Sequence, residues 1–325
     1  MEQKHVVKLL KAYREFKEEK PHIGCYLSFE EYEENLKKTY YRLLSNLPID
    51  KIISFLLRAE SVDKGLRIYE AFSVYDMEAL NNALYEIAHL LQVGNISSPS
   101  TDHTYYSFNI MPELLAANMT DRISCILPIE NGMCNSNVVG TVIIDLFMAI
   151  WYQNEEFEQI ALTIAKKKLE TKLTQYDKAY ILYLMAILRK DVKEASLQLE
   201  EMCAGHKKSK QFGMNSFNKA FALGVHGMYN LSHHVYDGQL SGKVKMPIAD
   251  NFCQDLAIWQ QENGNKPGKV IHIYSEPVDV MNAIMEIQPP IMQLYKKSSK
   301  EVYLNTKLFE EEEVKLIKEI YVKGE

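Results

Sequence analysis

Residues 176–202 read YDKAYILYLMAILRKDVKEASLQLEEM, and this stretch decides the fold. Large side chains recur at three- and four-residue steps through Tyr176, Tyr180, Tyr183 and Ile187, the pattern of one face of an α-helix. The spacing returns after a short charged turn, in Val192, Ala195, Leu199 and Met202. Because the intervening break is so short, the stretch predicts two antiparallel helices packed side by side.

The helical periodicity extends outward from this pair in both directions. Val138–Tyr152 is the most apolar run, and its short length with Asp145 near the middle predicts a buried core helix instead of a membrane span. In the helix expected near Met214 to His234, Gly224 and Gly227 indicate a tight crossing, since each glycine otherwise costs a helix about 1 kcal/mol. Further helices are expected over residues 2–20, 28–47, 49–72 with a break near 61–63, 76–92, 251–262, 277–287 and 310–322.

These patterns predict an all-α fold with little or no strand. We expect antiparallel helix pairs stacked in a helical-repeat-like, tetratricopeptide-like array, although no strict repeat emerges. The polar loop Gly94–Asp102 separates an N-terminal helical lobe (residues 1–92) from a loop-rich connection (93–137) and a C-terminal helical lobe (138–325), expected to form one continuous domain. A short helix is expected to begin near Met111-Pro112, and Val270–Tyr274 could be a strand with nothing obvious to pair with.

Charge and composition narrow the classes of function. The chain has 37 basic and 43 acidic residues, so its formal charge of −6 gives no general attraction to nucleic acid or to an anionic membrane. An acidic surface favours a basic partner, although solubility alone also explains this charge. The cysteines are odd in number, scattered and without a Cys-x-x-Cys pair, which fits a reducing cytosol. The N-terminus lacks an uninterrupted apolar signal core, so a cytoplasmic protein is expected.

Two groups of residues have spacings used by metal ligands. Glu86 and His89 form a Glu-x-x-His pair, but the di-iron bundles that use this spacing need a second copy, and the chain has none. The densest set comprises His226, His233, His234 and Asp237, yet the two adjacent histidines cannot both point at one ion. Since Walker, G-x-S-x-G and H-E-x-x-H motifs are also missing, we expect no catalytic, cofactor or metal site.

Two further features are candidates for contact with other molecules. The run Glu310, Glu311, Glu312 and Glu313 is typical of a solvated helix start, and it is our candidate surface for a basic partner. The chain has 20 tyrosines. Those at Tyr105, Tyr106, Tyr152 and Tyr229 could line a groove, although core packing explains most of them equally well.

The C-terminal half resembles the immunity protein 49 family of bacterial polymorphic toxin systems, over roughly residues 138–260. The resemblance lies in the order of elements: the helix and charged turn of Tyr180–Asp191, a second helix with Leu199, Glu200 and Glu201, a basic break at His206-Lys207-Lys208, a long helix from Phe217 to His234, and the loop Val244–Pro247. The resemblance implies a protein that binds and neutralises a cognate toxin stoichiometrically, with no catalysis. From the charge, we expect no nucleic-acid or membrane partner.

Two other readings stay open at the level of sequence. One is a tetratricopeptide-like adaptor that uses the same helical surface for another partner. The other is an enzyme with an unrecognised helical active site, built on His226, His233 and Asp237. A neighbouring toxin gene would favour the immunity protein, and stoichiometric metal in the purified protein would favour the enzyme.

Overall fold

The computed structural model describes residues 3–19, 26–59, 64–94, 103–134, 136–210, 214–296 and 302–324. The structure is 72% helical with almost no strand, which confirms the all-α prediction. In the described part, no helix is long and apolar enough to cross a bilayer. The described cysteines form no disulfide with one another. The break expected near residues 61–63 and most of the loop Gly94–Asp102 lie outside the described residues.

The first helices follow the sequence-based bounds closely. They are α1 (Gln3–Glu19), α2 (Phe29–Thr39) continued by a π-helical turn (Tyr40–Leu44), α3 (Ile49–Ala59), α4 (Lys64–Val74) and α5 (Met77–Gly94). At the start of α2, Ser28 Oγ accepts the N–H of Glu31, at 3.3 Å. The Glu31 carboxylate in turn accepts the N–H of Leu27, at 2.8 Å, which makes a capping box whose return bond goes to the residue before the N-cap.

The remaining elements complete an almost wholly helical chain. They are α6 (His103–Ala116), 3-10 turns at Thr120–Arg122 and Ile129–Asn131 around α7 (Ile123–Ile126), α8 (Val139–Tyr152), α9 (Glu155–Leu169), α10 (Gln175–Leu188), α11 (Val192–Lys208), α12 (Ser216–Ala220), α13 (Leu223–His234), a 3-10 turn at Tyr236–Gly238, α14 (Gln254–Glu262), α15 (Val280–Glu286), the antiparallel strands β1 (Leu294–Lys296) and β2 (Val302–Leu304), and α16 (Thr306–Gly324).

The helices around the opening stretch form two hairpins. Helices α8 and α9 pack together, as do α10 and α11, and α8 packs on α10. Asn154, Thr174 and Asp191 each cap the helix that follows by accepting a backbone N–H in its first turn. Helix α8 is buried along most of its length, as expected for a core helix, and its Asp145 accepts the N–H of Cys134 at 2.9 Å.

The prediction of a loop-rich connection over residues 93–137 is wrong. Helix α6 begins at His103, well before Met111, and Pro112 lies inside it. Helix α13 crosses α6 at this proline, and a Cβ added to Gly227 would lie 2.1 Å from the Pro112 carbonyl oxygen. The glycine therefore permits the tight crossing expected from the sequence, and burial of α6 between α5, α8 and α13 outweighs the helix-breaking tendency of proline.

Two hydrophobic cores meet at α5. The larger core takes Leu80, Leu84 and Ile87 from α5 and joins α1 and α4 to the helices from α6 to α14. The smaller core takes Leu90 and Val93 from the same helix. It joins N-terminal helices α2 and α3 to C-terminal helices α15 and α16. The cores therefore do not follow the boundaries 1–92, 93–137 and 138–325, because the end of the chain packs against its beginning.

Candidate functional site

The histidines of the densest candidate set contact different partners. His226 Nε2 accepts the N–H of Cys253 at 3.0 Å, its ring stacks on Phe252, and burial lowers its pKa to about 3. His233 Nδ1 lies 2.7 Å from the Ser241 hydroxyl, and His234 Nε2 donates to Asn118 Oδ1 at 2.8 Å. Asp237 lies on an exposed turn. In the part of the chain that the structure describes, no three potential ligands gather to hold a metal ion.

The two residues of the Glu-x-x-His pair on α5 also contact different partners. Glu86 forms an ion pair with Arg67, and both side chains are buried. His89 Nε2 donates to the backbone carbonyl of Ile284 at 2.8 Å, and burial lowers the His89 pKa to about 4. Each residue therefore contacts a separate part of the fold.

The four consecutive glutamates of α16 do not form one exposed acidic surface. Glu310 pairs with Arg58, with its Oε1 2.6 Å from an Arg58 nitrogen, and exposed Glu311 lies 3.8 Å from Lys307. Glu312 is half-buried, whereas Glu313 is buried in the interior. The expectation that all four could face a partner is wrong for Glu313, because a helix turns its fourth residue toward the same side as the first and this helix packs against α3 and α15.

The tyrosines proposed for a groove are instead part of the packing. Tyr106 is buried and donates to the carbonyl of Gln92 at 2.7 Å, while Tyr152 donates to the carbonyl of Leu127 at 2.5 Å. Tyr229 is buried and accepts from Gln261 Nε2 at 2.7 Å. The side chain of Tyr105 lies outside the described residues. Each described phenol thus satisfies a polar group of the fold while its ring fills apolar space.

A polar row on α5 provides the most unusual site in the molecule. Asn82, Glu86 and His89 follow one another at helical spacing, and all three are buried. Asn82 Oδ1 accepts the N–H of Lys269 at 3.0 Å, and Glu86 Oε1 accepts the N–H of Ile271 at 2.8 Å. Asn82 and Glu86 therefore bind the backbone of residues 269–272, whereas His89 binds the backbone of α15 at Ile284.

Residues 269–275, here called the edge segment, are fixed most firmly by ionic contacts. Glu86 Oε2 accepts from Arg67 and from His272 Nδ1, the latter at 2.5 Å. Arg67 Nη2 also donates to the hydroxyl of Tyr274, at 3.1 Å. Removing one member of such a buried pair typically costs about 3–5 kcal/mol, because the other charge stays buried without compensation. The edge segment is therefore held on α4 and α5 in one position.

A carboxylate lies close to each of the two ring nitrogens of His272. Its Nδ1 lies 2.5 Å from Glu86 Oε2 and 2.6 Å from Arg67 Nη1, and its Nε2 lies 3.3 Å from Glu70 Oε2. The ring also lies against Phe29, with 4.3 Å between ring centroids. With both nitrogens directed at protein carboxylates, the imidazole is arranged to position the edge segment more than to take a proton from a bound substrate.

The outer side of the edge segment carries exposed apolar side chains. Ile271 is 41% exposed and Ile273 is 68% exposed, whereas Tyr274 is buried. Carboxylates lie along the same segment: Glu70 Oε2 is 3.3 Å from His272 Nε2, and Glu33 accepts the N–H of Ser275 at 2.6 Å while it pairs with Lys37 at 3.2 Å. Glu276 follows the segment in the chain. Hydrogen bonds from the Ser28 side chain and from backbone, together with nearby His272, lower the pKa of Glu30. The site thus combines an apolar centre with an acidic rim.

The sequence carried a signal for this site that the motif search missed. The alternation in Val270–Tyr274 indicated an extended chain, and Asn82, Glu86 and His89 are spaced to lie on one face of the α5 helix. Comparison with protein-family models, with characterised proteins and with solved structures found no match to this chain.

Proposed function

We propose that this protein binds a bacterial toxin domain stoichiometrically in the cytoplasm and neutralises it. The observation that supports this proposal most is the edge segment, which holds Ile271 and Ile273 exposed on a fixed backbone inside a rim of carboxylates. Exposed apolar side chains bordered by charge are typical of protein-binding surfaces. The resemblance of residues 138–260 to the immunity protein 49 family supplies the class of partner.

The charges around the edge segment favour a basic partner. Glu30, Glu33 and Glu70 border it on one side, and Glu276 follows it in the chain. Two cations lie at the segment: Lys269 is 3.6 Å from Glu78, and Lys37 donates to the Ser275 hydroxyl and is 3.2 Å from Glu33. With a net charge of −6, this arrangement would accelerate association with a basic toxin domain, most strongly at low salt. We prefer this surface to Glu310–Glu313, because Glu313 is buried and Glu310 is paired with Arg58.

The test is co-expression with the toxin domain encoded beside this chain. We expect the wild-type protein to restore growth and to co-purify with the toxin in a 1:1 complex. Replacement of the exposed isoleucines in the double variant Ile271→Asn/Ile273→Asn should abolish rescue. Ile248→Asn is the matched control, since Ile248 is 85% exposed on a loop outside this site and its replacement should leave rescue intact.

Two outcomes would contradict the proposal. The first is failure of the wild-type protein to restore growth together with no complex at micromolar concentrations, which would favour the adaptor. The second is a complex that Ile271→Asn/Ile273→Asn leaves unchanged, which would separate immunity from the edge segment. Circular dichroism of each variant establishes that any loss of rescue comes from a folded protein.

A further inference from the structure

We propose that the protein binds the surface of an anionic phospholipid membrane through a cluster of lysines at one end of helices α9, α10 and α11. The inference goes beyond the proposed function, because it concerns another surface and another partner. The cluster, here called the lysine end, comes from two stretches of the chain, residues 166–178 and 206–210. Its members are Lys166, Lys167, Lys168, Lys172, Lys178, Lys207, Lys208 and Lys210.

The fold brings the two stretches of the lysine end together. The last turn of α9 carries three of the lysines, and the short connection 170–174 leads from it to the first turn of α10. The end of α11 packs on that same turn, since a Cβ added to Gly205 would lie 2.6 Å from the Tyr176 backbone nitrogen. Lys208 Nζ also donates to Gln175 Oε1 at 2.9 Å. The C-terminal ends of α9 and α11 therefore lie at the same end of α10.

Most of the lysine end is open to another molecule. All of its lysines are exposed except half-buried Lys168. In the described part of the chain, Lys207 alone among them forms an ion pair, with Asp250. The carboxylates that lie in these stretches or contact them are half as many as the lysines, namely Glu170, Asp177, Glu201 and Asp250. The end of the three helices is therefore positively charged on an otherwise acidic chain.

Helix stabilisation accounts for only part of this cluster. Cations in the last turn of a helix interact favourably with its dipole, which explains the lysines that end α9 and α11. Lys178 lies near the start of α10, where the dipole does not favour a cation, and Lys172 and Lys210 lie outside the helices. These three lysines extend the positive charge beyond what the helices use.

The side chains at this end favour a lipid surface over a protein or a nucleic acid. No exposed large apolar side chain lies in the two stretches, whereas protein interfaces have an apolar centre. The cations are all lysine, without the planar fork by which arginine binds phosphates and bases. Tyr176 points into the fold, with its hydroxyl beside Gly224, so it offers no face for base stacking. An anionic membrane needs neither feature, because clustered lysines bind its headgroups electrostatically.

The net charge of −6 does not oppose this interaction. Charges are screened over about 8 Å at physiological ionic strength, so a membrane responds to the surface that faces it and not to the whole chain. The expectation of no membrane partner rested on the total charge, whereas the fold concentrates positive charge at one end. Since no helix in the described part could cross a bilayer, the binding is peripheral and reversible.

The experiment is co-sedimentation of the full chain with lipid vesicles. One set contains phosphatidylcholine alone, and the other contains about 30% phosphatidylserine to supply negative charge. We expect at least tenfold stronger binding to the anionic vesicles and loss of that binding at about 0.5 M NaCl, because salt screens the lysines. Equal binding to both sets of vesicles would overturn the proposal, as would no binding up to millimolar lipid.

Two variants with the same change of net charge locate the interaction. Neutralising four lysines of the cluster, in Lys166→Gln/Lys167→Gln/Lys172→Gln/Lys208→Gln, should weaken vesicle binding at least tenfold. The control neutralises four exposed lysines outside the cluster, in Lys51→Gln/Lys243→Gln/Lys315→Gln/Lys323→Gln, and should bind as the wild type does. Equal weakening in both variants would mean that total charge decides binding and would overturn the proposal. Circular dichroism checks that both variants are folded.

Competition with a nucleic acid tests the other polyanion. A single-stranded oligonucleotide, added at the same phosphate concentration as the accessible phosphatidylserine, should leave the protein on the vesicles. Release of the protein would show that the lysine end prefers nucleic acid and would overturn the proposal. Because neither assay contains a toxin, failure of growth rescue and failure of membrane binding are separate results.

Discussion

Glu313 is a carboxylic acid in the interior of the protein. Burial raises its pKa well above the ordinary value of 4.5, and nearby Glu310 adds to the effect. In the described part, its Oε1 has no hydrogen-bond partner. The raised pKa favours the neutral acid in the folded protein, which is how this residue of an acidic run can lie in the interior.

Replacing Glu313 should change how stability depends on pH. A raised folded-state pKa means that the stability linked to this group is fully present below 4.5 and is lost as the pH rises through the folded pKa. We expect Glu313→Gln to match the wild type at pH 4 and to have the higher melting temperature at pH 8. Half-buried Glu312→Gln is the control. A difference between Glu313→Gln and wild type that is constant with pH would contradict this account.

The stability that His226 contributes should depend on pH in the opposite direction. Burial lowers its pKa from 6.5 to about 3, so its contribution to stability is present above 6.5 and is lost as the pH falls toward the folded value. Between pH 6.5 and 5 the loss amounts to about 2 kcal/mol, at about 1.4 kcal/mol for each pH unit.

The variant His226→Gln keeps an acceptor for the N–H of Cys253 and removes the titration. Urea unfolding at these two pH values should therefore show a smaller difference than in the wild type. The remaining acid sensitivity comes from His89 and His233, whose pKa values burial lowers to about 4. An unchanged pH dependence in His226→Gln would mean that His226 does not stay neutral in the fold.

At the scale of elements, the position of helices followed from local patterns. Helices α1 to α5 lie within a few residues of their expected bounds, because apolar spacing, caps and prolines act over one or two turns. Helix α6 could not be predicted in this way. Its proline marked a helix start in the sequence, whereas the fold uses Pro112 as the contact point for α13.

The crossing of α6 and α13 makes a testable contrast between two glycines. Gly227→Ala places a methyl group where the Pro112 carbonyl oxygen lies, so we expect a loss of about 3 kcal/mol, at the upper end for overpacking. A methyl group in Gly224→Ala would lie 3.1 Å from the Tyr176 hydroxyl and at an ordinary 3.7 Å from the Pro112 Cβ, and this variant has the same gain in helix propensity. Equal stability of the two variants in urea denaturation would show that the crossing adjusts freely.

Buried amides also join elements in a way that no local pattern indicated. Asn230 on α13 donates to the carbonyl of Leu115 at the end of α6, at 3.0 Å, and to Gln260 of α14. Gln260 Nε2 donates to Asn81 of α5 and to the carbonyl of Ala116. These amides satisfy the last carbonyls of α6, which a helix cannot satisfy by itself.

At the scale of the whole molecule, α5 and the Arg67–Glu86 pair connect the two cores. Helix α5 contributes side chains to both, and the edge segment leads from α14 on the larger core to α15 on the smaller one. A perturbation at this junction should therefore affect both cores together.

The variant Arg67→Met tests whether this junction couples the two cores, because it leaves Glu86 buried without its cation. We expect a loss of about 3–5 kcal/mol, with the unfolding transitions by tryptophan fluorescence and by far-ultraviolet circular dichroism still coinciding. Arg67→Met/Glu86→Gln should recover part of this loss. Separate transitions would mean that the cores unfold independently and that the junction does not couple them.

The sequence by itself determined the helical class, the α10–α11 hairpin and the tight packing of α13, because periodicity, caps and glycine act over short range. Only the tertiary structure decided what the polar residues of α5 do. Glu86 binds the backbone of Ile271, which lies 185 residues further along the chain. Whether a buried carboxylate is a metal ligand or a partner for backbone N–H groups depends on which distant segment packs against it, and local pattern carries no information about that choice.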